Sequence, residues 1–358
     1  MAFEKGKMNF SVLVSKNAVG AQFENSIIGE SYSDSKPSLD TPVEDFSAGT
    51  SLADAPKEAS RFVFGSHFYA STRKKSLKMP RSRLKEETTL ALHQAVERNG
   101  GNSISRKEKK EIIETVSDSM QDEAQLELAG SRIVLCLDRK RILVEATSAS
   151  KLDEALIAIT SAVPLDQVRD LRAYTPEYLY EVATGLNSED YKPLSICNRY
   201  SSEGIGRDFL TWLWASSTIH GTVDGLVIAL TGMIQLAGED DGTGPVTVIL
   251  KDGAPAIGAE VNASLMQGKK VSKAEFSIAD GELVYKVVVD DEFHFKGFQG
   301  PYVPEKGLGD GTLFDGRMMD CGAFLKIMER VFRTFCEDVD RQRAIDSWMA
   351  IRPVSIKQ

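Results

Sequence analysis

Hydrophobic positions along this chain change period several times, and each change marks a predicted element. Asn9 to Val14 (NFSVLV) reads as a first strand, whereas about Gly29 to Lys57, rich in Ser, Asp, Pro and Gly, reads as a long loop. In RFVFGSHFYAS (61–71) apolar residues alternate, which predicts a strand whose end delivers the following cations to the surface. Pro80 opens a helix with Leu84, Leu92, Ala95 and Val96 on its apolar face, and Gly100-Gly101 supply the left-handed residues that end it. Another helix begins at Ser105, since Ser105 and Glu108 have capping-box spacing and Ile112, Ile113, Val116 and Met120 continue a helical stripe. IVLCLD (133–138) and ILVEATS (142–148), split by Arg139-Lys140-Arg141, predict a hairpin with a basic turn. Ser150 with Asp153 then caps a helix through Leu156 and Ile159, and Pro164 closes a mixed β and α module over residues 1–163.

Residues 164–358 begin with helices at Thr175-Pro176 and at GRDFLTWLWASS (206–217). Strand patterns follow at 225–238, 245–253, 273–289 with an Asp280-Gly281 turn, and 293–298. A glycine-rich loop over 300–316 and a terminal helix presenting Phe324, Met328, Val331, Phe332 and Phe335 complete a β-rich module expected to contribute to dimerisation. The fold class is therefore α+β, a multi-domain chain with antiparallel sheets and flanking helices. There is no internal repeat.

Composition narrows the class. A chain of 358 residues predicts two domains, and 42% hydrophobic with 27% charged residues is ordinary for packed globular cores. No apolar run approaches the roughly 18 residues of a membrane span, and MAFEKGKMNF lacks a signal-type stretch, so a cytoplasmic protein without a membrane partner is expected. Cys136, Cys197, Cys321 and Cys336 lie far apart with no C-x-x-C pair, which argues for reduced core thiols over zinc or disulfides.

The net charge of −9 conceals a strong asymmetry. Between Arg73 and Lys110 twelve Lys or Arg stand against four acids, leaving the remainder at −17; widening the window to 71–120 lowers the excess to +5. Cations spaced to follow phosphates give affinity for nucleic acid without reading sequence. The candidate DNA-binding residues are Arg73, Lys74, Lys75, Lys78, Arg81, Arg83, Lys85, Arg106, Lys107, Lys109 and Lys110. The bland alternative is a solvated face. Against it, Arg106, Lys107, Lys109 and Lys110 crowd the first turns of a helix, where the macrodipole disfavours each cation by about 0.3–1 kcal/mol.

The segment STRKKSLKMPRSRLKEE (71–87), the basic helix SRKEKKEIIETV (105–116) and the hairpin with its helix, IVLCLDRKRILVEATSASKLDEAL (133–156), resemble RdgC, the recombination-associated protein family of bacteria. The likeness covers about residues 9–163; DFLTWLW (208–214), GKKVSKAEFSI (268–278) and DSWMAI (346–351) look like the longer branch of that family. This resemblance implies a ring-like or clamp-like homodimer associated with the nucleoid, encircling duplex DNA and restraining RecA-type strand exchange in recombination and replication. Single-stranded DNA and a RecA-type recombinase are further expected partners. It implies no catalysis and no cofactor. The chain departs from the enterobacterial form in its Ser/Asp-rich loop before residue 60 and in 121–131, which lack the arginine-aromatic pattern.

Other constellations compete. Asp290, Asp291, Glu292 and His294 make a metal-dependent exonuclease the runner-up, although alternation along a strand would point Asp291 away from its neighbours. A scaffold for recombination enzymes is the third reading, because a basic face also attracts acidic proteins. Glu239-Asp240-Asp241 before Gly242 reads as a turn, and Gly307, Gly309 and Gly311 read as loop hinges lacking the Lys-Ser/Thr of a P-loop. Phe209, Trp212 and Trp214 read as core or dimer-contact residues rather than base-stacking platforms, and His67, His93, His220 and His294 form no nucleophile or metal pattern.

Overall fold

Alternate side chains of the first strand, β1 (Met8–Val14), enter two different cores, and the architecture follows from that. The computed structural model describes residues 3–38, 41–78, 80–120, 124–196, 199–200, 204–238, 247–251, 259–303, 307–338 and 341–350. Met79, Cys197 and the expected turn at Glu239-Asp240-Asp241-Gly242 lie outside the described residues.

After β1 come α1 (Ala21–Gly29), β2 (Val43–Ala48), β3 (Val63–Phe64) and β4 (His67–Lys78). Next are α2 (Arg81–Arg98), α3 (Arg106–Ser119), β5 (Gln125–Ala129), β6 (Arg132–Leu135), β7 (Arg141–Val144) and α4 (Ala149–Ala162). The middle of the chain holds α5 (Leu165–Val168), β8 (Arg172–Ala173), α6 (Pro176–Thr184), β9 (Ser195–Ile196), β10 (Arg199–Tyr200) and α7 (Ile205–His220). It ends with β11 (Thr222–Val223), β12 (Leu226–Ala237), β13 (Thr247–Leu250), α8 (Ala259–Met266), β14 (Lys270–Asp280), β15 (Leu283–Asp290), β16 (Phe295–Gln299), α9 (Asp310–Glu337) and α10 (Arg341–Ala350).

Among the described residues, fourteen strands form one antiparallel sheet in the order β11-β12-β14-β15-β16-β1-β7-β6-β4-β2; β13 pairs with β12, β3 and β5 with β4, and β8 with β1. The fold is thus α+β. Phe10, Val12 and Val14 face a core closed by α6, α7 and α9, whereas Leu13 faces a second core closed by α1 and α4. Because β1 pairs with both β16 and β7, the sheet and the first core run through the boundary expected at 163/164. Phe209, Trp212 and Trp214 belong to this core; the Trp212 Nε1–H donates to Asp338 and Trp214 packs edge-on against Trp348, which leaves no ring face for a base.

Four of the differences from the pattern expected of the sequence bear on how the basic segment and the sheet are held. The expected loop between Gly29 and Lys57 contains β2, an edge strand with little alternation. Strand β4 continues through the basic residues instead of ending before them. Helix α4 starts two residues early, with Ser148 and not Ser150 at its N-cap and no side-chain cap bond. Helix α9 starts inside the expected 300–316 loop, with Gly309 at its N-cap and Gly311 packed against Gly65.

Helices α2 and α3 pack against each other, joined by a turn in which Gly100 and Gly101 take positive φ angles of 65° and 83°. Neither helix contains a buried residue. Leu84, Leu92, Ala95 and Val96 are half-covered, while Leu90 and Ile113 are exposed. The Ser105–Glu108 capping box is complete: the Glu108 N–H donates to Ser105 Oγ at 3.2 Å, and the Ser105 N–H to Glu108 Oε2 at 2.8 Å. No helix among the described residues is long and apolar enough to cross a membrane.

Candidate nucleic-acid interface

Strand alternation divides the first cationic cluster. Side chains at 73 and 75 on β4 turn inward and those at 74 and 78 outward. Arg73 is 1% exposed: its Nε and Nη2 donate to the two Asp45 carboxylate oxygens at 2.6 and 2.5 Å, and its Nη1 to Asp54 at 2.7 Å. Its guanidinium also lies 5.0 Å from the Tyr32 ring centre. Lys75, 5% exposed, donates to the Ser33 carbonyl and pairs with Asp45 and Asp54. Both cations are neutralised inside the protein, which corrects their assignment as phosphate contacts. Of the twelve cations counted above, ten then remain against four acids. Lys74 and Lys78 are exposed but engaged, with Glu44 at 3.0 Å and with Glu127.

The remaining candidates lie on the helical hairpin, and all are exposed. Arg81, Arg83 and Lys85 occupy the first two turns of α2; Arg106, Lys107, Lys109 and Lys110 occupy the first two turns of α3. Lys107 and Lys110 make long ion pairs one turn on, to Glu111 at 3.9 Å and Glu114 at 3.6 Å, which water screens strongly. Arg81, Lys85, Arg106 and Lys109 have no acidic partner among the described residues. Since α3 returns alongside α2, the two clusters sit at opposite ends of the hairpin, about 20 Å apart along α2 at roughly 1.5 Å per residue. They do not form one continuous patch.

A third cationic group carries no run in the sequence. Lys273, Lys286 and Lys296 come from β14, β15 and β16, and the register places them on the sheet face opposite Phe276, Val287 and Phe295. Burial, and then the neighbouring Lys296 ammonium, push the Lys273 pKa below the ordinary lysine value. Lys296 is held by Asp290 at 3.2 Å, and Glu275 shares the face. In contrast, Lys269 and Lys270 are buried, and Lys270 pairs with the buried Asp208 at 2.5 Å. The only sequence signal for the sheet group is its position parity within strands, which needs the register to become visible.

The acidic group at the end of β15 disperses. Asp290 is taken by Lys296 and the His294 N–H, Asp291 accepts from Arg207 at 2.7 Å, and Glu292 is turned to the His294 ring. Among the described residues no three His, Cys, Asp or Glu side chains converge to hold a metal ion. The structure does line up Ser11, His294 and Glu292, with 2.6 Å from Ser11 Oγ to Nδ1 and 3.1 Å from Nε2 to Glu292. Ser11 and His294 are buried, and the Ser11 hydroxyl also lies 3.0 Å from the Ala146 carbonyl, so no substrate carbonyl can reach that oxygen. The group ties β1 to β16. His67 is likewise structural, meeting Asp315 of α9 at 3.0 Å, and His93 lies beside Glu97. Cys136, Cys321 and Cys336 are free thiols; burial pushes Cys136 up to about 12 and Cys336 up to about 11, far from thiolate reactivity.

No protein-family model matches the chain, and no curated protein matches it in sequence.

Proposed function

We propose that this protein binds duplex DNA through its phosphate backbone with little sequence preference. The observation that supports it best is the α2–α3 hairpin: two helices that contain no fully buried residue and place seven exposed cations in their N-terminal turns. An N-terminal turn is where a helix tolerates cations least, at about 0.3–1 kcal/mol each, and a phosphate outside the turn converts that penalty into attraction. The lysines of the sheet face extend the same chemistry. Contacts from such cations to phosphates draw their affinity from counterion release, which carries no sequence information.

In the same reading the chain works as a homodimer, ring-like or clamp-like, in recombination and replication, restraining RecA-type strand exchange by occupying the duplex. Leu90 and Ile113, exposed on the hairpin, are the side chains we assign to contact with a second copy there. A binding titration against two duplexes of unrelated sequence tests the reading: comparable affinities that fall steeply with salt are expected, and sequence-selective binding with a shallow salt slope contradicts it.

A further inference from the structure

Between the N-terminal turn, the end of β16 and α9 lies a cleft of about 410 Å³, lined by none of the cations considered so far. Its central group is Arg317. The Arg317 Nε–H donates to the Phe3 carbonyl at 2.9 Å and Nη2 to the Gly6 carbonyl at 2.6 Å, which fixes the guanidinium plane; among the described residues neither Nη1 hydrogen has an acceptor. Among the described residues no carboxylate lies within ion-pair distance of it. Burial pushes its pKa below the ordinary arginine value, although Asp320 favours the charge. Lys7 lines the same cleft, its Cδ 3.9 Å from where a Cβ on Gly297 would sit, beside Lys296. The opposing wall is Asp320, whose Oδ2 accepts the Tyr302 N–H at 3.0 Å and approaches Gly300 so closely that a Cβ there would overlap the carboxylate.

We propose that this cleft is a seat for one internal phosphodiester of the bound nucleic acid, held jointly by Arg317 and Lys7. The charges select the ligand. Lys7 and Arg317 against Asp320 leave a single positive charge, which one monoanionic phosphodiester neutralises; a dianionic terminal phosphate would leave an excess negative charge beside Asp320. Lys7 also lies beside Gly297, the chain neighbour of Lys296, which joins the cleft to the lysine-bearing strands. The inference rests on the DNA-binding reading and locates one phosphate within it.

The test is a double-mutant cycle on duplex affinity at fixed salt, using Lys7→Gln, Arg317→Gln and the pair, with Lys7→Arg as the charge-preserving variant. Each neutralising substitution is expected to weaken binding by roughly three- to tenfold, and the pair by less than the product, because both groups hold the same phosphate. Lys7→Arg keeps wild-type affinity, and duplexes with and without 5′-phosphates bind alike. Lys7 is exposed, so its variants report binding without disturbing the fold. Wild-type affinity in Lys7→Gln, fully multiplicative effects, or a marked preference for 5′-phosphorylated ends overturns the site. A wild-type protein that binds no duplex overturns the DNA reading itself; binding that ignores Lys7 and Arg317 leaves that reading standing and removes only this seat.

Discussion

Arg73 on β4 stands directly opposite Asp45 on β2, and the two make a bidentate ion pair sealed from solvent. This pairing converts the most conspicuous cation of the basic segment into the fastening of an edge strand. Removing Arg73 leaves buried Asp45 with only the longer Lys75 pair at 3.7 Å, and breaking a buried pair of this kind costs about 3–5 kcal/mol. Arg73→Gln should therefore lower the midpoint of urea unfolding strongly, whereas its duplex affinity, measured on the fraction that remains folded, should match wild type. A variant of unchanged stability and weakened DNA binding would show that Arg73 reaches a phosphate.

The lysines at the start of β14 differ in the same way. Lys270→Ala strands Asp208 in the core and should destabilise the protein by a similar amount, so it is no neutral control for binding. Lys273→Gln with Lys296→Gln relieves a like-charge contact but also removes the half-buried Lys296–Asp290 pair, and because the two effects oppose, unfolding should stay within about 1 kcal/mol of wild type. The same double variant should weaken duplex binding. Unfolding and anisotropy titrations on the two variants decide the matter, and a reversed pattern would mean the sheet face has been assigned the wrong side.

Asp315 links pH to the seam between β4 and α9. Burial pushes its carboxyl up, but the Ser66 N–H, the His67 ring and the Ser66 hydroxyl outweigh that and hold it below the ordinary carboxylate value. A carboxylate with a depressed folded pKa contributes stability above its unfolded value near pH 4, and this is lost as pH falls through the lower folded value. Asp315→Asn should thus cost about 1–2 kcal/mol at pH 7 and much less at pH 2 to 3. Equal losses at both pH values in denaturant titrations would exclude the charged carboxylate as the cause.

How much of this was legible in the sequence depends on what set each feature. The α2–α3 hairpin, with its capping box and Gly100-Gly101 stop, was readable because local capping and periodicity fix it. So were the aromatic faces of α7 and α9, since deep burial leaves a strong pattern. Strand β2 was not, because VEDFSA has only two large apolar residues and is held largely through Asp45, whose partner lies 28 residues away. For the same reason a charge count overvalued Arg73 and Lys75: composition cannot tell an inward from an outward cation on one strand. Lys273, Lys286 and Lys296 were missed because they gather only through pairing of three strands, and Lys7 with Arg317 because 310 positions separate them.

The central claim is that the hairpin touches phosphates, and the salt dependence of duplex binding measures this most directly. Arg81, Arg83 and Lys85 replaced together by Ala, and separately Lys107, Lys109 and Lys110, should each lower the log-log salt slope by up to roughly 0.9 for every phosphate no longer neutralised. Because the clusters lie about 20 Å apart along α2, they meet different phosphates, and in the six-fold variant the two reductions should add. Circular dichroism should stay native, since exposed charges contribute little to stability. If both triple variants and their combination keep the wild-type slope while folded, the hairpin cations are a solvated face, and the DNA-binding account is contradicted.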